Sequence, residues 1–79
     1  MKTITIEYFA LLREHAGKAS EQRQTMAANA GDLFAELTQV YAFPELSSVK
    51  VAVNDEFSNW DTELQEGDSV VFIPPVAGG

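Results

Sequence analysis

A chain of 79 residues with no cysteine and a formal net charge of −7 has room for one small domain, and it excludes disulfides, thiolate metal sites and cysteine nucleophiles together. The charge argues against nucleic acid, since phosphate binding needs a basic stripe that this composition lacks, and it fits either basic protein partners or solubility alone. No segment approaches the length of a membrane span, and Met1-Lys2-Thr3-Ile4 shows neither an extended apolar core nor a cleavage-site pattern, so a cytoplasmic address is the default expectation.

The first predicted element is a half-buried strand over Thr3 to Tyr8, where Ile4, Ile6 and Tyr8 alternate with threonines and Glu7. Phe9 breaks the alternation by placing an aromatic on the polar side. Ala10 to Ala16 reads as a short helix with Arg13 and His15 in its last turn, stopped by Gly17. Ser20 to Ala27 is polar with weak alternation, which fits an edge strand. Asn29, three residues before Asp32, is a good N-cap for a helix from Ala30 to Tyr41. Leu33, Leu37, Val40 and Tyr41 form its apolar stripe, with Phe34 alongside. That stripe must cover a sheet, since the chain has no other long helix to pack against.

Phe43-Pro44 closes the helix, and Val49 to Val53 is the next alternating strand, its three valines inward. Asn54-Asp55-Glu56 supplies turn residues, and Phe57 and Trp60 fall in an irregular connection. Leu64 precedes a second turn at Glu66-Gly67-Asp68. Ser69 to Ile73 is apolar on both faces, Val70 and Phe72 on one and Val71 and Ile73 on the other, so it belongs at the centre of a sheet. This order is that of an α+β, ubiquitin-like β-grasp, a mixed sheet packed on one main helix with its first and last strands parallel. Other small α+β folds share the order. The domain is expected to span 1–73, with 74–79 as an extended tail.

In that tail, Pro74 and Pro75 stop the strand because proline lacks the N–H a ladder needs. In polyproline conformation, Pro74, Pro75, Val76, Ala77, Gly78 and Gly79 reach roughly 20 Å, enough to enter a partner's active site. Gly78 and Gly79 leave the terminal carboxylate on a backbone bare of side chains, suited to a narrow channel. At a reference pKa of about 3.3–3.7 that carboxylate is ionised and a poor electrophile, so acyl chemistry there needs prior activation. A frayed, glycine-rich terminus is the plain alternative. Phe9, Phe57 and Ile73 fall opposite the helix side, where a monomer prefers polar residues, and near the tail they form a candidate docking patch. Elsewhere the chain offers little chemistry. His15 has no second histidine or cysteine beside it, the acidic residues match no calcium loop, and Gly17, Gly31 and Gly67 are isolated, so any nucleotide chemistry belongs to a partner.

Three stretches carry a resemblance to a known family: Val53-Asn54-Asp55-Glu56-Phe57, then Asp61 to Asp68, then Val70-Val71-Phe72-Ile73-Pro74-Pro75-Val76-Ala77-Gly78-Gly79. With Tyr8-Phe9-Ala10-Leu11-Leu12-Arg13-Glu14, they resemble the small subunit of molybdopterin synthase, a ubiquitin-like sulfur carrier, over nearly the whole chain. The resemblance implies that an activating enzyme uses ATP to adenylate Gly79, that a sulfur donor then displaces AMP, and that the resulting thiocarboxylate enters the large synthase subunit. There, two rounds of sulfur transfer convert cyclic pyranopterin monophosphate to the molybdopterin dithiolene. It further implies no stably bound cofactor, a heterotetramer with the large subunit and an active site on that subunit. Gly79 would bear the sulfur, with Gly78 as its slim neighbour. Phe9, Phe57 and Ile73 match apolar contact positions of the family's subunit interface, and Pro74 to Ala77 would line the partner's channel. Two other readings stay open: a sulfur carrier for thiamine or tRNA thiolation, and a ubiquitin-like modifier conjugated through Gly79 or an inert interaction domain.

Overall fold

The computed structural model describes residues 1–43 and 49–75. Strand β1 (Lys2–Tyr8) follows its alternation, turning Ile4, Ile6 and Tyr8 to one side, where they are almost wholly buried. Helix α1 (Ala10–Ala16) ends at Gly17, whose φ of 76° lets its N–H donate to the Arg13 carbonyl at 2.9 Å. Strand β2 (Ser20–Thr25), two residues shorter than its sequence pattern, lies antiparallel to β1 from Lys2↔Thr25 to Glu7↔Ser20 and forms one sheet edge.

Helix α2 (Ala30–Tyr41) is capped as expected, with Asn29 Oδ1 accepting from the Asp32 N–H at 2.8 Å. Two further N–H groups of its first turn find partners in a loop: Ala30 donates to the Thr62 carbonyl at 3.1 Å and Gly31 to the Trp60 carbonyl at 2.7 Å. A Cβ at position 31 would sit 3.2 Å from that Trp60 oxygen, so glycine permits the close approach. Leu33 and Leu37 are fully buried, but Val40, expected on the same stripe, is 52% exposed. The space beneath the last turn is filled instead by Phe43, brought back through the left-handed Ala42 (φ 53°) against Tyr8, Phe34 and Tyr41.

Strands β3 (Lys50–Val53), β4 (Glu56–Ser58) and β5 (Ser69–Ile73) complete a sheet of order β2-β1-β5-β3-β4. β5 is central, parallel to β1 (Tyr8↔Phe72) and antiparallel to β3 (Val51↔Phe72), as its two apolar faces require. β4 corrects the sequence reading, which left Phe57 in an irregular connection. Asn54 and Asp55 both adopt positive φ, 52° and 69°, and so close a two-residue hairpin that pairs Glu56 with Val53 and Phe57 with Ala52. Of the three valines expected inward, Val51 and Val53 are buried, while Val49 precedes the strand and is partly buried against the core.

A hydrogen-bonded carboxylate ties β2 to the rest. The Tyr8 and Tyr41 hydroxyls both donate to Glu21 Oε2, the latter at 2.6 Å, and Lys18 Nζ lies 3.7 Å from Oε1. Burial disfavours the Glu21 charge, but the hydrogen bonds from Tyr41 and Tyr8 outweigh it and hold the carboxyl below its ordinary pKa. A pKa lower in the folded than in the unfolded chain gives stability that is present above the unfolded value, about 4.3, and lost as pH falls through the folded one. We therefore expect Glu21→Gln to lower stability at pH 7 by about 1–2 kcal/mol and to flatten its decline below pH 4.5, measured by urea unfolding across pH. An unchanged pH profile would contradict the role given to Glu21.

Candidate functional site: the outer face and the exit of the last strand

Because side chains alternate along a strand, the pairing that buries Val70 and Phe72 against α2 turns Val71 and Ile73 to the opposite face. The register then sets a row across four strands. Glu7 pairs with Val71, Val71 with Ala52, and Ala52 with Phe57. In the next row Ile73 faces Lys50, and one step beyond the Tyr8↔Phe72 pair the backbone carries Phe9 alongside. Phe9 is still extended (φ −120°, ψ 151°), and the left-handed Ala10 (φ 49°) turns the chain into α1 immediately after it. The outer face therefore divides. Its β2–β1 half presents Gln22, Gln24, Thr3 and Thr5, and its β5–β3–β4 half presents Val71, Ile73 and Phe57 around the buried Ala52.

Of the three residues read as a docking patch, Phe57 is 76% exposed, Phe9 is 45% exposed and Ile73 is partly exposed, all on or beside this apolar half. Phe9 and Ile73 are neighbours at the end of the sheet from which the chain leaves β5, whereas Phe57 lies two strands away from β5 in the row of Val71. Sequence reasoning saw Val71 as part of a second apolar face but did not join it to the patch, and it missed Ala52 and the flanking Lys50. The signal was the Asn54-Asp55 pair between two short alternating runs, which marks a hairpin and so fixes Phe57 opposite Ala52. Beside the patch, Lys50, Val51, Phe57, Ser58 and Asn59 enclose an open groove of about 430 Å³.

Pro74 is buried and Pro75 exposed, so the chain leaves the sheet within two residues of its last ladder pair. Val76, Ala77, Gly78 and Gly79 lie outside the described residues. Among the described residues no group of three or more His, Asp or Glu side chains is placed to hold a metal ion, and no helix is long and apolar enough to cross a membrane. What this arrangement offers is an exposed apolar surface with Pro74 and Pro75 leaving the sheet at its rim.

A model of the ThiS family matches residues 6–79. The molybdopterin synthase sulfur carrier subunit of Mycobacterium tuberculosis is 33% identical over the full length of both chains. That of Chlamydomonas reinhardtii is 39% identical, covering 96% of this chain and 98% of its own. Among solved structures, a Pyrococcus furiosus protein provisionally named molybdopterin converting factor, subunit 1, superposes with a TM-score of 0.82 at 30% identity, covering 96% of this chain and all of its own. A chain in the complex of subunits 1 and 2 of the Helicobacter pylori molybdopterin-converting factor shares the fold at a TM-score of 0.59 and 23% identity, over 98% of this chain and 99% of that one.

Proposed function

The chain belongs to the ThiS family, and from that premise we propose that it is the sulfur carrier subunit of a molybdopterin synthase. The observation that carries the proposal is the end-to-end likeness to sulfur carrier subunits at 33–39% identity. The fold supports it: the central strand carries the chain to Pro74 and Pro75 at the rim of an apolar face.

In this reading the Gly79 carboxylate attacks the α-phosphate of ATP on an activating enzyme, and pyrophosphate leaves. The acyl adenylate supplies the activation that the free carboxylate lacks. A sulfur donor then attacks the carbonyl carbon, AMP departs, and the terminus becomes a thiocarboxylate, a far better sulfur nucleophile than the carboxylate. Phe9, Phe57 and Ile73 seat the domain on the large subunit. Pro74, Pro75, Val76, Ala77 and Gly78 thread the reactive end to the pterin precursor, so catalysis belongs to the large subunit and this chain acts as a tethered reagent. ATP is consumed on the activating enzyme, and the carrier itself keeps no cofactor. The H. pylori complex supplies a precedent for a second subunit binding a chain of this fold.

Phe57→Asp places a charge in the most exposed apolar contact and is expected to weaken large-subunit binding by about 2 kcal/mol or more, roughly thirtyfold in Kd. Titration calorimetry measures this, and an unchanged Kd removes Phe57 from the interface. A modifier function would instead leave lysine-linked conjugates that survive a denaturing blot.

A further inference from the structure

Three charged residues lie on the β3–β4 hairpin, and the fold separates them by sign. Lys50 stands at the open end, facing Ile73 beside the groove, whereas Asp55 is in the closing loop and Glu56 is the first residue of β4. At about 3.3 Å per strand residue, the three steps from Lys50 to the Val53↔Glu56 pair put the closing turn about 10 Å or more away, beyond the screening length of about 8 Å at physiological ionic strength. Glu56 pairs with the inward Val53 and so turns to the other face, and a partner on the outer face meets Lys50 at one end and the turn residue Asp55 at the other, with the exposed Phe57 between them. Lys50 is exposed and makes no ion pair with another described residue. Covering its ammonium with an apolar surface would cost more than the contact returns, unless a carboxylate takes the place of water.

We propose that the partner of this face carries a carboxylate opposite Lys50, seated in the groove lined by Phe57, Ser58 and Asn59, and a basic side chain opposite the turn residue Asp55. This rests on the subunit assignment above and deepens it. The apolar patch supplies affinity, and the polarised hairpin supplies orientation, because a partner docked the other way round would set like charges against each other. Such a docking directs the end of β5 toward one side of the partner only.

The test uses the full chain and the large synthase subunit encoded in the same genome. Zero-length carbodiimide coupling of their complex, read by peptide mass spectrometry, is expected to join Lys50 to an Asp or Glu of the large subunit. Lys50→Glu is expected to raise Kd about tenfold or more at low salt, and Lys50→Met to raise it less, with the unfolding midpoint unchanged in both. If Lys50 couples only to its own chain, or not at all, the proposal is overturned. It is equally overturned if Lys50→Glu binds as tightly as wild type. Failure of the wild-type chain to bind the large subunit would remove the subunit assignment as well, whereas tight binding indifferent to residue 50 would remove only the charge pairing.

Discussion

Removal of Gly79 is expected to abolish sulfur transfer in a synthase reconstituted with activating enzyme, sulfur donor and large subunit, while leaving the unfolding midpoint at its wild-type value. The two halves of this expectation have different origins. Among the described residues the sheet completes its last ladder pair at Ile73, and the strands and helices before it already enclose a core, so loss of one terminal residue is expected to leave that core intact. Shortening the tail by one residue also withdraws its end by about 3 Å and places the carboxylate on Gly78. Productive attack requires the reacting atoms to stand about 3–3.5 Å apart, so a displacement of that size removes the geometry on which transfer depends. Single-turnover conversion of the pterin precursor gives the readout. Retained conversion would show that the terminal glycine is not the reactive residue.

Phe72→Ala is expected to cost about 3–5 kcal/mol, a large share of the stability of a domain this small. Phe72 is fully buried on the central strand, pairs with both Tyr8 and Val51, and packs its ring against Phe34 (centroids 4.9 Å apart) and Trp60 (6.0 Å, nearly parallel). Trp60 lies there because the loop bearing it is hydrogen-bonded to the start of α2. Loss of the ring therefore opens a cavity and also removes the platform under that loop. A domain of this size has about 4–12 kcal/mol in total, so the variant stands near the limit of folding. Urea unfolding followed by circular dichroism measures the loss; a change below about 1 kcal/mol would contradict the packing described.

Where one physical cause dominated, the sequence was legible. Ile4, Ile6 and Tyr8 announced their strand by period alone, Asn29 its helix by capping chemistry, and Ser69 to Ile73 its central place by having no polar face. The residues that were misread depend on contacts distant in sequence. Val40 obeys the helical period yet is exposed, because Phe43 occupies the space beneath the last turn through a left-handed residue that no periodicity predicts. β4 has only three residues, too few for alternation to register, and its turn holds two non-glycine residues at positive φ. The candidate patch was half visible. Phe9, Phe57 and Ile73 could be assigned a face by parity, but the strand order that adds Ala52 and Val71 between them, and sets Lys50 at their edge, emerges only from the pairing.

The most direct test of sulfur carriage is the intact mass of the untagged chain, purified from its own cells lacking the large synthase subunit, with fragmentation to locate any change. A sulfur-for-oxygen increment confined to Gly79 is the predicted result. An unmodified terminal carboxylate that persists when no acceptor is present to discharge it would contradict sulfur carriage.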